Sequence, residues 1–371
     1  MAKQASPIMS VLMILLAGCG VAPSASPSAA PGSAVAKPAL SASASPRPAS
    51  AAQPAANQAT VRFGTLVPST SDAGWVIAED KGWFADQGIK LEESQYDSAA
   101  NMVAPLGSNQ LDVGGGAPSA GLFNAIGRGV NIIIGADKGS NPPGHGFQGL
   151  LLRPDLADKV KTPADLKGLK LAIPAEGVSL EAGAGALLKQ ANLTSKDVEL
   201  THLGFPDMIP ALANKSIDGA FEIEPFLANA VSKGVGVLFQ RSDKYSPNQQ
   251  VAVLLLSPGF AAQQDVAVRF MSAYLKGICL YDQGFEKNDP TARAEVIDIL
   301  SRRTNVKDKA LYQQMVMPGF DPSGKVNAAD LKAQQDYYIS AGEQQKPVDV
   351  SKVVDLRAVD AALQRVGACK L

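Results

Sequence analysis

The chain has 371 residues, with 34 Lys and Arg against 35 Asp and Glu, a formal charge of −1. That length predicts more than one lobe, and the even charge excludes a general nucleic-acid binder, which carries a basic excess. Hydrophobic residues at 46% suffice for a sizeable core, while 3 Cys and 2 His are too few for a disulfide scaffold or a multi-ligand zinc or haem site.

Residues 8–16 (IMSVLMILL) form a short apolar stretch behind Lys3, with signal-peptide proportions rather than those of a membrane span. The stretch ends in Leu16-Ala17-Gly18-Cys19, which resembles the bacterial lipobox. On this reading residues 1–18 are a lipoprotein signal peptide and the Cys19 thiol takes the lipid anchor. Residues 20–60 hold 15 Ala, 8 Ser and 7 Pro, no aromatics, and only Val21, Val35 and Leu40 as larger aliphatics. Such a segment buries too little apolar surface to offset its ordering entropy, so 19–60 reads as a lipidated Cys and a disordered tether spanning roughly 35 Å.

From residue 61 strand and helix alternate. Residues 61–67 (VRFGTLV) predict a strand stopped by Pro68, and 72–81 a helix closed by Gly82. Residues 90–92 predict a short strand and 98–108 a helix, and Leu111-Asp112-Val113 leads into Gly114-Gly115-Gly116. A helix over 117–127 and a buried strand over 130–135 (VNIIIG) follow, then an apolar strand over 147–152 and a surface turn of helix over 162–168. The second set has strands over 169–173, 198–203, 219–223, 235–239 and 251–256, with helices over 180–191 and 208–214. Beyond Ala261 a 3.6-residue period predicts mainly helix. Strands separated by helices of this length imply parallel βαβ units. The expected architecture is α/β with two lobes: the first part of lobe I over 61–150, lobe II over 151–250, and a helical return to lobe I over 251–371. Crossings near 147–154 and 247–258 would make a hinge, with the ligand between the lobes and an open form that closes by hinge bending.

Four stretches then carry a family. They are Ala78-Glu79-Asp80-Lys81-Gly82-Trp83-Phe84 with Gly88-Ile89, the Leu111–Ser119 string, Asp165-Leu166-Lys167-Gly168-Leu169-Lys170-Leu171-Ala172, and Ile217-Asp218-Gly219-Ala220-Phe221-Glu222-Ile223-Glu224-Pro225. In this order, over roughly residues 61–260, the chain resembles the solute-binding proteins of nitrate/sulfonate/taurine-type ABC importers, including their pyrimidine-precursor-binding relatives. The resemblance implies a type II periplasmic-binding-protein fold that closes on a small solute and delivers it to a membrane permease and its ATPase. The lipobox and tether point independently to the same extracytoplasmic compartment, with the membrane reached through Cys19; no cofactor and no catalysis are expected, and the protein is expected to be a monomer.

The candidate ligand contacts lie at strand-to-helix turns. In Gly114-Gly115-Gly116-Ala117-Pro118-Ser119, glycine permits close backbone approach, Pro118 suits a first helical turn, and free N–H groups favour anions or carbonyl oxygens. Gly115, Gly116, Ala117 and Ser119 are the candidates, and the string lacks the third glycine of a dinucleotide fingerprint. The equivalent turn of lobe II offers Gly177, Ser179 as a natural N-cap and Glu181 in the first turn, with capping alone as the alternative. Asp72 caps the helix after the first strand and Trp75 lines the cleft, unless that ring belongs to the core. The polar stretch 137–146 reads as a loop at a strand's C-terminal end, offering Asn141 and His145, the latter alternatively solvated. Glu222 and Glu224 alternate with apolar neighbours and share one strand face, either toward the cleft or toward solvent. Phe205 and Asp207 are further candidates.

Two carboxylates in the cleft would repel nitrate or sulfonate and suit ring or amine N–H donors. No Arg falls in these loops and Lys138 is their cation. A small anion would rely on the helix N-termini and Lys138, whereas a planar, donor-bearing organic solute, pyrimidine- or flavin-like, would stack on Trp75, Phe147 or Phe205 and donate to Glu222 or Glu224. Cys279 and Cys369 could pair in an oxidising compartment, though nothing in the sequence demands it. A hydrolase signature is missing: there is no GxSxG, HExxH or CxxC, and Gly116-Ala117-Pro118-Ser119 does not make a nucleophile elbow. Two alternatives stay open, a synthase of the kind found among eukaryotic pyrimidine-precursor relatives, whose Cys-rich iron motif has no counterpart here, and a surface receptor without an importer.

Overall fold

The computed structural model describes residues 58–304, 306–367 and 369. The expected signal peptide, the Cys19 anchor and the tether up to residue 57 lie outside the described residues. Ten strands follow in chain order: β1 (Ala59–Thr65), β2 (Ile89–Gln95), β3 (Val113–Gly116), β4 (Ile133–Ser140), β5 (Gln148–Leu152), β6 (Lys170–Ile173), β7 (Glu199–His202), β8 (Gly219–Ile223), β9 (Val237–Arg241) and β10 (Gln250–Leu256). They form two five-stranded sheets, ordered β2-β1-β3-β10-β4 in lobe I and β7-β6-β8-β5-β9 in lobe II.

The sheets are mixed rather than wholly parallel. β1 runs parallel to β2 and β3, and β6 parallel to β7 and β8. β10 is antiparallel to β3 and β4, and β5 antiparallel to β8 and β9. The reason is geometric. β5 and β10 are the strands reached by crossing from the other lobe, so each begins where its neighbours end. Gln148 opens β5 opposite Ile223 at the end of β8, and Gln250 opens β10 opposite Ser140 at the end of β4.

Local boundaries differ from the sequence reading where hydrogen bonds outweigh composition. β1 starts at Ala59, inside the expected tether, because Ala59 to Thr65 pair residue for residue with Ile89 to Gln95. The helix expected from 117 starts at Ala120: Ser119 is its N-cap, its Oγ accepting from Leu122 N at 3.1 Å, which leaves Pro118 outside. The stretch 137–140, expected as loop, continues β4, with irregular pairing to β10 and hydrogen bonds between Ser140 and Gly319. The helix expected from 208 begins at Phe205, with Pro206 in its first turn.

Both faces of each sheet are covered, which explains the near-continuous apolar runs. Phe63, Leu254 and Leu256 pack against Trp75, Ile77, Tyr274 and Ile278 on one face of lobe I, while Ile134, Val253 and Leu255 pack against Met102, Phe123 and Tyr338 on the other. In lobe II, Leu150 and Phe221 meet Leu187, and their neighbours Leu151 and Ala220 meet Met208 and Leu227 on the opposite face. The return supplies the 22-residue helix Gln264–Phe285 and the helices Pro290–Arg303, Ala328–Ala341 and Arg357–Val366. Among the described residues no helix is long and apolar enough to cross a membrane.

Cys279, buried in the long helix, is disulfide-bonded to Cys369, so the pairing that the sequence left open is present and staples the last helix to lobe I. The bridged residues are 90 apart in sequence, and closing such a loop restricts the unfolded chain by about 4.5 kcal/mol in the chain-entropy treatment. Cys369→Ser should therefore lower the unfolding free energy by about 2–4 kcal/mol, read by urea denaturation without reductant. A variant as stable as the parent would show the bridge to be dispensable.

Candidate functional site

The two lobes meet at the C-terminal ends of their parallel strands. The turn after β3 touches the turn after β6: Ala120 N–H donates to Gly177 O at 2.7 Å, and Ser119 forms an antiparallel bridge with Val178. On the other side Thr70 donates to the Glu224 carbonyl through both its N–H and its hydroxyl, each at 3.3 Å. The crossing segments lie side by side between these contacts: Asn141 N–H donates to Gln249 O at 3.0 Å and Asn248 N–H to Asn141 O at 2.7 Å. The turns expected to bridge a ligand thus bridge each other directly, in a closed arrangement where the sequence reading anticipated an open one.

Lobe I brings a buried ion pair to this boundary. Lys138 on β4 reaches Asp72 at 2.9 Å and Ser71 Oγ at 3.3 Å, with both charged side chains 5% exposed. Asp72 also accepts from Trp75 Nε1 at 2.8 Å and from Ser69 N at 2.9 Å. Trp75 is a core residue, its ring 5.1 Å from that of Phe63. Of the two readings left open, core or cleft wall, the core holds the ring, and it meets the site through its indole N–H, because that donor would otherwise be buried unpaired. Gly115 is needed as glycine for steric reasons: a Cβ there would stand 2.7 Å from Lys138 Cε. Gly116 likewise faces Ala99, and Ala117 is half-buried beside it. Behind Lys138, Asp137 is wholly buried and accepts from Gln250 Nε2 at 2.6 Å and from Gly139 N and Asp321 N at 2.9 Å. Burial outweighs these donors and pushes its carboxyl up to about 6.

Lobe II contributes carboxylates. Glu222 and Glu224 are both fully buried, so neither sits on the solvent-facing edge that the sequence left open. Glu224 accepts from Arg241 at 3.2 Å, Ala228 N at 2.9 Å and, from the return segment of lobe I, Val316 N at 3.4 Å. Burial raises it above the usual carboxylate range, with Arg241 opposing. Glu222 has only Ile223 N at 3.3 Å on one oxygen, and its Oε1 has no partner. Burial, with Glu224 adding to it, holds this carboxyl well above its ordinary value. No Arg falls in these loops, yet Arg241 reaches them from the end of β9 and also donates to Gly146 O at 3.0 Å.

In the lobe II turn, Ser179 is the first helical residue rather than the N-cap, which is Val178. Its hydroxyl donates to Val251 O at 2.8 Å and its carbonyl accepts from Gln249 Nε2 at 2.5 Å, tying the turn to the crossing strand. Glu181 is buried and accepts from Gly177 N at 2.6 Å. Burial raises its carboxyl, Gly177 opposing. Asn141 is fully buried, its Nδ2 3.4 Å from Gln148 Oε1 and its Oδ1 unpartnered. His145 is drawn to the return segment instead, between Met317 O at 3.1 Å and Glu286 at 3.3 Å. Glu286 raises its pKa against the effect of burial. Phe205 stacks on Phe226 at 5.9 Å, and Asp207 is exposed. Ser71, Arg241 and Glu343 also reach the boundary without a signal in the sequence: the last two arrive from positions distant in sequence, and Ser71 is one serine among several polar residues before Asp72.

Two surface concavities lie apart from this boundary, one of about 460 Å³ between β9 and residues 157–163, the other of about 220 Å³ beside His145 and Met317. Among the described residues no group of three or more His, Cys, Asp or Glu is placed to hold a metal ion.

Two mixed α/β lobes, joined by two crossing strands and meeting at their strand ends, have the architecture of periplasmic binding proteins. The chain matches the NMT1/THI5-like family over residues 69–281 and belongs to that family. A protein of Brachyspira hyodysenteriae, provisionally named an ABC transporter periplasmic binding protein, is 23% identical over 196 residues. That alignment covers 51% of this chain and 56% of the relative, so the chain spans about half the length of the curated protein it matches. The alkanesulfonate-binding protein SsuA of Xanthomonas axonopodis pv. citri, solved with MOPS, superposes with a TM-score of 0.65 at 19% identity, over 82% of this chain and 100% of its own. The nitrate-binding protein NrtA of Synechocystis PCC 6803 gives 0.66 at 16% identity, over 83% and 89%.

The buried ion pair yields a test. Lys138→Met leaves the Asp72 carboxylate buried without its cation and should cost about 3 kcal/mol of unfolding free energy. The double variant Lys138→Met/Asp72→Asn should recover part of that loss, since no lone charge remains. Additive losses in urea unfolding would mean that the two groups are not coupled.

Proposed function

We propose that the protein is an extracytoplasmic solute-binding lipoprotein: it captures a small organic solute between its lobes and delivers it to an ABC-type importer. The observation that carries this reading is the direct contact between the strand-to-helix turns of the two lobes, Ala120 to Gly177, beside a pair of crossing strands. Loops at the C-terminal ends of α/β strands are where ligands bind, and two crossings permit hinge closure. The name of the Brachyspira relative and the fold shared with SsuA and NrtA support the same role. The Cys279–Cys369 bridge suits an oxidising, extracytoplasmic compartment. In this proposal residues 1–18 direct export and Cys19 carries the lipid anchor.

The solute class we favour is a neutral or donor-bearing organic molecule. Lys138 is already paired with Asp72, and Arg241 with Glu224, so neither cation is free to neutralise an anion. Two buried acceptors, Glu222 Oε1 and Asn141 Oδ1, stand without donors, and an unsatisfied buried polar atom costs about 1–3 kcal/mol. A solute supplying N–H or O–H groups would relieve that cost.

A thermal-shift screen of the full chain checks the class. One panel holds nitrate, taurine, alkanesulfonates and bicarbonate, the other pyrimidines, thiamin precursors, riboflavin and aromatic amines. At 100 times its dissociation constant a solute adds about 2.7 kcal/mol of stability, and the shift is expected only in the second panel. Stabilisation by the anions alone would refute the preference. Separately, Cys19→Ser should release the protein from the membrane fraction into the soluble extracytoplasmic fraction. Retention at the membrane would refute the anchor.

A further inference from the structure

The helix Ala328–Ala341 packs on lobe I, and the segment after it is held there by Asn124, which donates to Glu343 O at 2.7 Å and accepts from Gln345 N at 3.0 Å. That anchorage brings the Glu343 side chain to the lobe contact. Its Oε2 lies 3.3 Å from the point where a Cβ on Gly177 would stand, and it is buried with no donor to pair with. Gly177 is the residue whose carbonyl receives Ala120 of lobe I and whose N–H is held by Glu181 of lobe II. One carboxyl from each lobe therefore meets over the residue that joins the lobes. The other titratable groups facing the pair are Glu176 and His202 from lobe II, and Tyr337 and Tyr338 from the helix Ala328–Ala341.

We propose that this contact is a proton-linked latch: when the lobes close, Glu343 and Glu181 share one proton taken from solvent, and when the lobes part both carboxylates are free. The inference deepens the solute-binding reading and rests on it, since it needs lobes that open. Two carboxylates brought close at a partly buried contact disfavour each other's ionised form. Burial and the nearby Glu181 push Glu343 from its ordinary 4.5 up to about 8 in the closed arrangement. The sign follows from proton linkage. A closed-state pKa above the open-state value means that closure binds a proton between the two values. The closed form is favoured toward acid pH and weakens as pH rises through the closed-state pKa. Solute capture would weaken with it, giving the site a release signal independent of solute concentration.

Hydrogen exchange of the full chain tests this without a known solute. The Ala120 amide is bonded across the lobes, and the Val253 amide, in the centre of the lobe I sheet, reports the fold. The wild type is compared with Glu343→Gln, and separately with Glu181→Gln, at about pH 4.5, the ordinary carboxyl value, and about pH 8.5, rates being referred to those of unstructured peptides. At the alkaline pH each variant should protect Ala120 roughly tenfold or more above wild type, a factor that one unit of pKa shift supplies. At the acid pH all three should agree within about twofold, with Val253 equally protected throughout. An Ala120 protection ratio that does not change with pH, in variants that keep Val253 protected, overturns the latch while leaving the hinge intact. Ala120 unprotected in every protein at the acid pH, with Val253 protected, overturns the lobe contact and the latch together.

Discussion

The direction of two strands governs everything else in this molecule. A chain that leaves one lobe at the strand ends and enters the other there can only run back through the second sheet, antiparallel to its neighbours. β5 and β10 do so, and each occupies an interior position in its sheet, flanked by β8 and β9 or by β3 and β4. The consequence is that the carboxyl ends of the parallel strands in both lobes face one another, with the crossing segments beside them. Ser119, Asp72, Gly177 and Glu224 come from four separate strand-to-helix turns, yet they meet at one boundary.

What fills that boundary is charge already compensated. Lys138 with Asp72 and Glu224 with Arg241 are pairs whose members come from different strands or loops. Burying such pairs gains little net stability, but breaking one strands a charge. Their value here is positional. The Asp72–Lys138 pair, held by Trp75 and Ser69, fixes the loop after β1 against β4, and Glu224 receives Thr70 and Val316 from lobe I. Glu222 differs, since it lies one pleat deeper with a single weak donor. Burial without a charge partner raises its carboxyl instead.

The lobes, the crossings and the apolar strands were legible because hydrophobic pattern and turn residues report burial directly. β8 over Gly219–Ile223 coincides with its sequence expectation. The direction of β5 and β10 was not legible, because an apolar run reads alike either way. The strand character of Asp137 to Ser140 was hidden by polar composition. Asp137 earns its place in β4 through Gln250 and Asp321, partners 113 and 184 residues away in sequence. Among site residues, the turns could be found from glycine, proline and serine, whereas Arg241 and Glu343 could not, since what brings them to the boundary is tertiary. For Trp75 the sequence leaves core and cleft wall open, and the structure places the ring in the core, its indole N–H given to the buried Asp72 carboxylate.

The same accounting bears on selectivity. Helix N-termini attract anions because their first N–H groups lack partners. Here Leu122 N is capped by Ser119, Ala120 N is given to Gly177, and Gly177 N is given to Glu181. An anion competing for these donors would have to break the contact that holds the lobes together, losing closure in exchange for binding. A solute that addresses the unpartnered acceptors instead adds hydrogen bonds and leaves the turn-to-turn contact in place. On the proposed solute-binding reading, the closed arrangement would disfavour ligands that bind by helix N-terminus alone, through the very residues that make a helix N-terminus attractive in sequence.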